Sequence, residues 1–369
     1  MRLKPNPAGR KNKCVNIMIE NKRLFCSKPF TWFEVTQGND IGEVYVCCPA
    51  WLDTPIGNLR YQSVKEIWNS QKAQEIRHSI LDGSFKYCDR SRCPFLQTVL
   101  KPVERIEDVT DKELKASIEK QLTVLPYGPR EINCSYDRSC NLSCPSCRTE
   151  VIIERKNRKQ ILEVQDKICK EALKDAQLIY ITGSGDPFGS PFFRKWLQTM
   201  KKRDMPRLER VHIHTNAQLW TPKMWKTIPG EIQQIVKTAE ISIDAASPET
   251  YSKNRRGGSF ERLLENLKFI SILHESIPMD WVGISMVVQE NNFREMPDFV
   301  RLSKRFGFGV QFSKLVDWGT FPKDEFNPRA VHLPSHPSYK EFIDLLKDEI
   351  FNDPLVYLGN LTEVVTCKD

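Results

Sequence analysis

The chain has 369 residues, with 55 Lys and Arg against 47 Asp and Glu, and 12 cysteines. The length suffices for one large domain or two moderate ones, and the composition is ordinary for a soluble globular protein. The apolar runs are too short to cross a bilayer, and the basic stretch 1–13 lacks the apolar segment of a secretory signal. We therefore expect a cytoplasmic protein without a membrane partner. Disulfides are rare in the cytosol, so many cysteines indicate metal binding or catalysis.

The chain divides into four segments by composition and pattern. Residues 1–100 are rich in cysteine and contain short strand-like runs. Residues 101–129 are polar and predict a linker with one helix. Residues 130–321 alternate strand-like and helix-like stretches, and residues 322–369 predict a helical extension.

The first segment contains four separated cysteines, Cys26, Cys47, Cys88 and Cys93, and Cys48 adjoins the second of them. Four thiolates suit a closed site for either zinc or a [4Fe–4S] cluster. The spacing alone favours neither metal. The spacing ranks Cys47 above Cys48 as the ligand.

The third segment predicts six strands, which are short, apolar and often β-branched: Glu131–Ser135, Leu178–Thr182, Arg210–Thr215, Ala239–Asp244, Trp281–Val288 and Val310–Val316. Helix-length stretches separate them, so we expect a parallel sheet with right-handed crossovers. Six units are fewer than the eight of a closed barrel. The fold class is therefore α/β, a partial (β/α)6 TIM-like barrel preceded by a small cysteine-rich domain, with its chemistry at the carboxyl ends of the strands.

The loop after the first of these strands carries the spacing C-x3-C-x2-C on Cys140, Cys144 and Cys147. Three thiolates can hold three irons of a [4Fe–4S] cube, which leaves the fourth iron open to an exogenous ligand. A zinc site is the alternative, with Cys134 as a fourth ligand. Cys134 lies inside the predicted strand, however, where it packs as a small hydrophobic residue.

This loop resembles the hallmark of the radical S-adenosylmethionine (SAM) superfamily, and the resemblance extends from Pro129 to about Phe321. Thr182-Gly-Ser-Gly-Asp-Pro187 is similar to the family's Gly-Gly-Glu-Pro stretch, Asn216 follows the third strand, and Ser242-x-Asp244 and an arginine pair come with the fourth. The resemblance implies that SAM contacts come from Gly183, Ser184, Gly185, Asp186, Asn216, Ser242, Asp244, Arg255 and Arg256.

Two features depart from the family pattern. Ser146 stands where relatives often have an aromatic residue before the third cysteine, and Asp186 stands in place of Glu. Ser242 and Asp244 are expected to face the same side of their strand because side chains alternate. One arginine of the Arg255–Arg256 pair is expected to hold the methionine carboxylate.

The N-terminal cysteines resemble the twitch module, a short form of the SPASM auxiliary-cluster domain. The resemblance spans about 21–96 and implies a second [4Fe–4S] cluster on Cys26, Cys47, Cys88 and Cys93. The order departs from the well-known relatives, in which this module follows the barrel.

The resemblance implies reductive cleavage of SAM to a 5′-deoxyadenosyl radical. This radical would abstract hydrogen from a peptide, carbohydrate or small-molecule substrate, in an oxidation or epimerisation assisted by the second cluster. An electron donor such as flavodoxin or ferredoxin would be a partner. Asp317, after the sixth strand, is a candidate proton acceptor. The alternatives are a radical enzyme acting on RNA, although no dense basic stripe with aromatics indicates nucleic acid, and a non-catalytic iron–sulfur or zinc protein.

Overall fold

The computed structural model describes residues 24–98, 102–181, 184–317 and 319–362. Gly183, an expected SAM contact, lies outside the described residues, as do Cys14 and Cys367. None of the helices within those ranges is both long and apolar enough to cross a membrane.

The described residues form twelve strands: β1 (Leu24–Cys26), β2 (Trp32–Thr36), β3 (Glu43–Tyr45), β4 (Gly57–Asn58), β5 (Val103–Arg105), β6 (Glu131–Ser135), β7 (Leu178–Ile181), β8 (Arg210–Thr215), β9 (Val236–Ser242), β10 (Trp281–Val288), β11 (Gly309–Lys314) and β12 (Val356–Tyr357). Three of the six predicted barrel strands, β6, β8 and β10, have the predicted bounds. The others differ by one to three residues at an end.

The same ranges contain fourteen α-helices: α1 (Lys28–Thr31), α2 (Val64–Trp68), α3 (Gln71–Leu81), α4 (Pro94–Thr98), α5 (Lys112–Glu119), α6 (Arg158–Lys167), α7 (Pro191–Thr199), α8 (Pro222–Trp225), α9 (Gly230–Gln233), α10 (Pro248–Asn254), α11 (Phe260–Ser276), α12 (Met296–Lys304), α13 (Lys323–Arg329) and α14 (Tyr339–Leu345). Most barrel helices begin at a side chain that caps free backbone N–H groups. Ser247, for example, accepts from the Thr250 amide and precedes a proline at the first position of α10.

One large sheet has the strand order β12-β11-β10-β9-β8-β7-β6-β2-β3-β4, and β1 pairs with β5 in a separate two-stranded sheet. Neighbours from β12 to β2 are parallel, whereas β2, β3 and β4 form an antiparallel meander. The predicted α/β class, with a mostly parallel sheet in the order of a partial barrel, is confirmed.

The cysteine-rich segment is built onto the barrel sheet. β2 pairs in parallel with β6 over its full length, from Trp32 opposite Glu131 to Thr36 opposite Ser135. The predicted boundary near residue 100 therefore does not separate two sheets. The C-terminal segment is not only helical, because β12 adds a short strand beside β11.

The two faces of the parallel sheet differ in chemistry. Residues such as Ile132, Ile179 and Val211 are fully buried, and the intervening positions carry polar and aromatic side chains. Trp32 and Tyr180 lie on strands separated by β6, about 9–10 Å apart by strand spacing, yet their ring centroids are 4.9 Å apart. These side chains therefore converge on a concave face. We call this face the lumen.

Candidate active site

The C-x3-C-x2-C loop follows β6 at its carboxyl end, as predicted. Cys140 and Cys144 are buried, and Cys147 is exposed. Burial raises the pKa of Cys140 to about 12, and the Asp186 carboxylate adds to this effect. In the absence of metal this thiol is protonated at neutral pH, so metal binding must displace its proton.

Each of the three sulfurs has one side-chain N–H donor directed at it. Asn216 Nδ2 lies 3.6 Å from Cys140 Sγ, Arg255 Nη1 lies 3.7 Å from Cys144 Sγ, and Arg148 Nη2 lies 3.3 Å from Cys147 Sγ. Such donors stabilise thiolates and tune the potential of a cluster that the thiolates hold. Asn216 and Arg255 were expected to contact SAM; the structure places them against the cysteine loop.

Arg255 is held by a buried ion pair. Its Nη2 lies 2.7 Å from Asp244 Oδ2, and both side chains are nearly inaccessible. Asp244 Oδ1 also accepts the Val287 amide at 2.7 Å. Burial raises the pKa of Asp244, and the Arg255 guanidinium opposes that rise. The Nε of Arg255 is buried and without a hydrogen-bond partner, which leaves one N–H beside Cys144 for an additional acceptor.

The side chain of Arg256 holds the cysteine loop in place through hydrogen bonds. Its Nε donates to Ser143 O at 3.1 Å and to Ser143 Oγ at 3.2 Å, and its Nη2 donates to Thr149 O at 3.1 Å. The Ser143 amide in turn donates to Arg256 O at 3.0 Å. The side chain of Arg256 is thus committed to the loop, which leaves Arg255 as the better-placed arginine for a carboxylate ligand.

The shared orientation expected for Ser242 and Asp244 is wrong. β9 ends at Ser242, and Asp244 lies beyond it with φ +59°, so strand alternation no longer applies. Ser242 Oγ lies 2.8 Å from His214 Nε2 in the lumen, whereas Asp244 turns toward Arg255. Asp and Asn tolerate this backbone conformation better than most residues.

Asp186 links the loops after β7 and β8. Its Oδ1 accepts the amides of Phe188 and Gly189, and its Oδ2 accepts the Thr215 hydroxyl and the Asn216 amide, all at 2.7–3.0 Å. The carboxylate is therefore fully used in positioning these loops.

Arg148 and Asp137 belong to the site but were not predicted. Arg148 donates from Nη2 to Ser184 O at 2.7 Å and from Nη1 to Arg138 O at 2.6 Å, which joins the cysteine loop to the loop after β7. Asp137 is fully buried, accepts the Ser139 amide at 2.9 Å and accepts the Ser190 hydroxyl that caps α7. The position of Arg148 directly after the third cysteine was an available signal.

The four N-terminal cysteines come together. Burial raises the pKa of Cys26 well above its ordinary value, and the nearby thiols of Cys47, Cys88 and Cys93 raise it further. Trp51 Nε1 lies 3.2 Å from Cys47 Sγ. Burial also raises the pKa of Cys48, and the nearby thiols of Cys47 and Cys93 add to that rise, so Cys48 lies close to the same group of cysteines.

The remaining candidates lie apart from both cysteine groups. Cys134 is fully buried in β6, and burial raises the pKa of its thiol, with a smaller effect from Cys169 on the helix side of the sheet. This position supports packing rather than metal binding. Asp317 is exposed in a turn, where its Oδ1 accepts the Gly319 amide at 2.8 Å, and this position does not favour a proton-acceptor role in the lumen.

The chemistry of the two cysteine groups fits iron–sulfur clusters. Within the described residues, no three His, Cys, Asp or Glu side chains stand close enough to share one metal ion. A [4Fe–4S] cube does not require such an approach, because each thiolate binds a different iron. The N–H donors on all three loop sulfurs and the free Nε of Arg255 are the features expected around such a cluster and an anionic ligand.

Fold and site together define an α/β partial-barrel protein of the iron–sulfur class. Residues 136–302 match the sequence profile of the radical SAM superfamily, and residues 26–94 match the SPASM iron–sulfur cluster-binding domain. The chain thus contains a region that matches the radical SAM superfamily and an N-terminal SPASM-like region. These matches imply a [4Fe–4S] cluster and SAM for the barrel, and an auxiliary iron–sulfur cluster for the N-terminal domain.

Curated relatives include two GTP 3′,8-cyclases. The protein from Limosilactobacillus fermentum is 26% identical over 211 residues, covering 55% of this chain and 59% of the relative. The protein from Alkaliphilus metalliredigens is 26% identical over 198 residues, covering 51% and 57%. The chain thus spans less than two thirds of the length of these relatives.

Two solved structures are similar to parts of this chain. A structure described as native anSMEcpe with bound AdoMet and Cp18Cys peptide is 18% identical, with a TM-score of 0.43, covering 64% of this chain and 66% of that one. Methylornithine synthase is 13% identical, with a TM-score of 0.39, covering 84% and 81%.

Proposed function

We propose that the protein reductively cleaves SAM at a [4Fe–4S] cluster on Cys140, Cys144 and Cys147. The 5′-deoxyadenosyl radical so formed abstracts hydrogen from a substrate in the lumen. The observation that carries this proposal is the arrangement of three N–H donors, one on each of the three loop sulfurs. A purely structural zinc site would need a fourth ligand, and Cys134 is buried on the other face of the sheet.

The chain's own residues would orient the cofactor. The cluster supplies an electron to the sulfonium when bound. The free Nε of Arg255 would bind the methionine carboxylate, and Asp244 fixes the guanidinium in place. Arg256 and Arg148 hold the cysteine loop against its neighbours. Gly185 lets the loop after β7 approach the backbone of Asp137 and Ser139.

The four N-terminal cysteines would hold the auxiliary cluster. This cluster could accept the electron that a substrate radical releases when it is oxidised to the product. The β2 strand of this domain pairs with β6 of the barrel sheet. The domain that would hold the auxiliary cluster is therefore attached directly to the sheet that forms the lumen. An electron donor such as flavodoxin or ferredoxin would reduce the barrel cluster.

A second candidate is ring formation on GTP, because the curated relatives carry the name GTP 3′,8-cyclase. This candidate predicts binding of a nucleoside triphosphate in the lumen.

The test is anaerobic reconstitution followed by iron and sulfide analysis and assay for 5′-deoxyadenosine after reduction with SAM. We expect about eight irons per chain and 5′-deoxyadenosine formation. The variant Cys88→Ala should hold about four irons and still form 5′-deoxyadenosine, whereas Cys144→Ala should lose it. An iron count near zero, or no 5′-deoxyadenosine from protein with both clusters, would refute the proposal.

A further inference from the structure

Arg148 is a buried cation without a carboxylate partner. Its side chain is 5% exposed, although proteins rarely bury an arginine that is not paired. Among the described residues no carboxylate forms an ion pair with it, and its hydrogen bonds go to two backbone carbonyls and one sulfur. Burial lowers the pKa of its guanidinium, but the thiolates of Cys147, Cys140 and Cys144 outweigh that effect and raise it. The counter-charge of this cation is therefore the cysteine loop itself.

The guanidinium of Arg148 lies at the junction of two loops. Its Nη2 donates to Cys147 Sγ at 3.3 Å and to Ser184 O at 2.7 Å, and its Nη1 donates to Arg138 O at 2.6 Å. Nη2 carries two hydrogens, so it can serve both of its acceptors at once. The planar group is thus held between the cysteine loop and the loop after β7, with its charge directed at Cys147.

The donors at the other two loop sulfurs contribute less net positive charge. The donor at Cys140 is the neutral amide of Asn216. The donor at Cys144 is Arg255, whose charge is balanced by Asp244 at 2.7 Å. Of the three donors, the guanidinium at the third sulfur is therefore the cation that no described carboxylate balances.

The Asp186 carboxylate adds negative charge close to these sulfurs. Burial raises the pKa of Cys140, and Asp186 adds to that rise, while the hydrogen bonds of Asp186 come from neutral donors. A cube held by three thiolates is anionic, and reduction adds one further negative charge. Because charges interact strongly in a buried site, a fixed cation stabilises the reduced cube more than the oxidised one.

We propose that the positive charge of Arg148 sets the reduction potential of the barrel cluster. Arg148 is a positioning residue, because it acts on the cluster through Cys147. One electron enters the cluster from a donor such as flavodoxin or ferredoxin, and Arg148 gains no proton in this step, since arginine stays protonated in proteins. The inference rests on the proposed function for the presence of the cluster, and it extends that function by naming the side chain that makes the cluster reducible.

A redox titration of the full-length protein, reconstituted with both clusters, tests the inference. Titanium(III) citrate is the one-electron reductant, and EPR measures the ratio of reduced to oxidised barrel cluster at one fixed solution potential. The signal that is absent from Cys144→Ala belongs to the barrel cluster. Arg148→Gln keeps an N–H donor but loses the charge. We expect its ratio to fall at least tenfold, which corresponds to about 59 mV for a one-electron couple.

Two further variants separate the charge from the hydrogen bonds. Arg148→Lys keeps the charge but loses the planar fork, so its ratio should stay within about threefold of that of the unmodified chain. Arg158→Gln is the matched control, because it removes the same charge from an exposed position at the start of α6. Its ratio should stay within about twofold, since solvent screens an exposed charge.

An unchanged ratio in Arg148→Gln would overturn the inference. An equal fall in Arg148→Lys and Arg148→Gln would also overturn it, because the effect would then come from the lost hydrogen bonds. Iron analysis of each variant shows whether the barrel cluster is retained.

Arg148→Met supplies a second neutral side chain if Arg148→Gln does not retain the cluster, and its ratio is then expected to fall in the same way. Loss of the cluster from both neutral variants but not from Arg148→Lys would support the role of the charge, whereas its loss from all three would overturn that role. An unmodified chain that loads no cluster on Cys140, Cys144 and Cys147 would instead refute the proposed function.

Discussion

At the scale of single residues, the buried ion pair between Asp244 and Arg255 is the most consequential contact of the site. Asp244→Asn keeps the shape and the tolerance for positive φ, but it leaves the buried guanidinium without its counter-charge. We expect the free energy of unfolding to fall by about 3–5 kcal/mol. Urea unfolding of the metal-free protein measures this change.

An exposed pair provides the control. Asp298→Asn removes a carboxylate 2.5 Å from Arg301 on the surface of α12, and the cost should stay within about 1 kcal/mol. If both variants lost the same stability, the buried pair would have no special role.

Glu34 gives a prediction about pH. Its pKa of about 7 in the folded protein lies above the ordinary value of 4.5, chiefly because of burial. The folded state therefore binds this proton more tightly than the unfolded state does. The stabilisation is complete below pH 4.5 and is lost as pH rises through 7, by on the order of 3 kcal/mol.

The comparison is between unmodified protein and Glu34→Gln, which has no proton to lose. The difference between their free energies of unfolding, from urea titrations of metal-free protein at several pH values, should shift against the unmodified protein between pH 4.5 and 8. Other titrating groups, including His212, cancel in this difference. A difference in unfolding free energy that does not change with pH would contradict the raised pKa of Glu34.

The cysteines proposed as metal ligands could be identified from the sequence, whereas most of the residues that donate to their sulfurs could not. The spacing of Cys140, Cys144 and Cys147 is local, so it indicated a cluster directly. Arg148 adjoins Cys147 in the chain, but the other two donors come from across the fold: Asn216 lies 76 residues from Cys140, and Arg255 lies 111 residues from Cys144. Only the tertiary structure brings such partners together.

At the scale of elements, the loop after β7 depends on a glycine. A Cβ on Gly185 would stand 2.5 Å from Ser139 O and 2.7 Å from Asp137 O, which are backbone atoms of the cysteine loop. Because neither backbone can yield cheaply, we expect Gly185→Ala to destabilise the protein by about 1–3 kcal/mol and to lower iron incorporation at the barrel cluster.

Gly230→Ala is the matched control, since nothing lies within 4 Å of a Cβ at that position. It should be neutral or slightly stabilising. Thermal melting and iron analysis of both variants, reconstituted in parallel, test the prediction, and normal iron content in Gly185→Ala would refute it.

Strand bounds were predictable where the local pattern was strong. β6, β8 and β10 begin and end where apolar alternation begins and ends. β9 ends two residues earlier than predicted, because the ion pair with Arg255 draws Asp244 out of the strand. β12 was missed, since two residues carry too little periodicity.

At the scale of the whole molecule, the position of the SPASM-like domain was not available from the sequence. β2 is five residues long and joins the parallel part of the sheet by pairing with β6, about a hundred residues further along the chain. This pairing makes the N-terminal domain a part of the barrel sheet. The N-terminal domain precedes the barrel in the chain, but its β2 strand lies within the same sheet.

This arrangement predicts that the barrel does not fold well by itself. A truncated chain of residues 102–369 would expose the edge of β6, and it would lose Phe33 and Val35, which are fully buried. An unpaired edge strand beside exposed apolar surface promotes aggregation. We expect the truncated chain to be largely insoluble, whereas full-length Cys88→Ala, which lacks one auxiliary ligand but keeps β2, should remain soluble. Soluble yield and size-exclusion chromatography measure the difference. A soluble, monomeric truncated chain with native circular dichroism would mean that β2 is an accessory to the sheet rather than one of its structural strands.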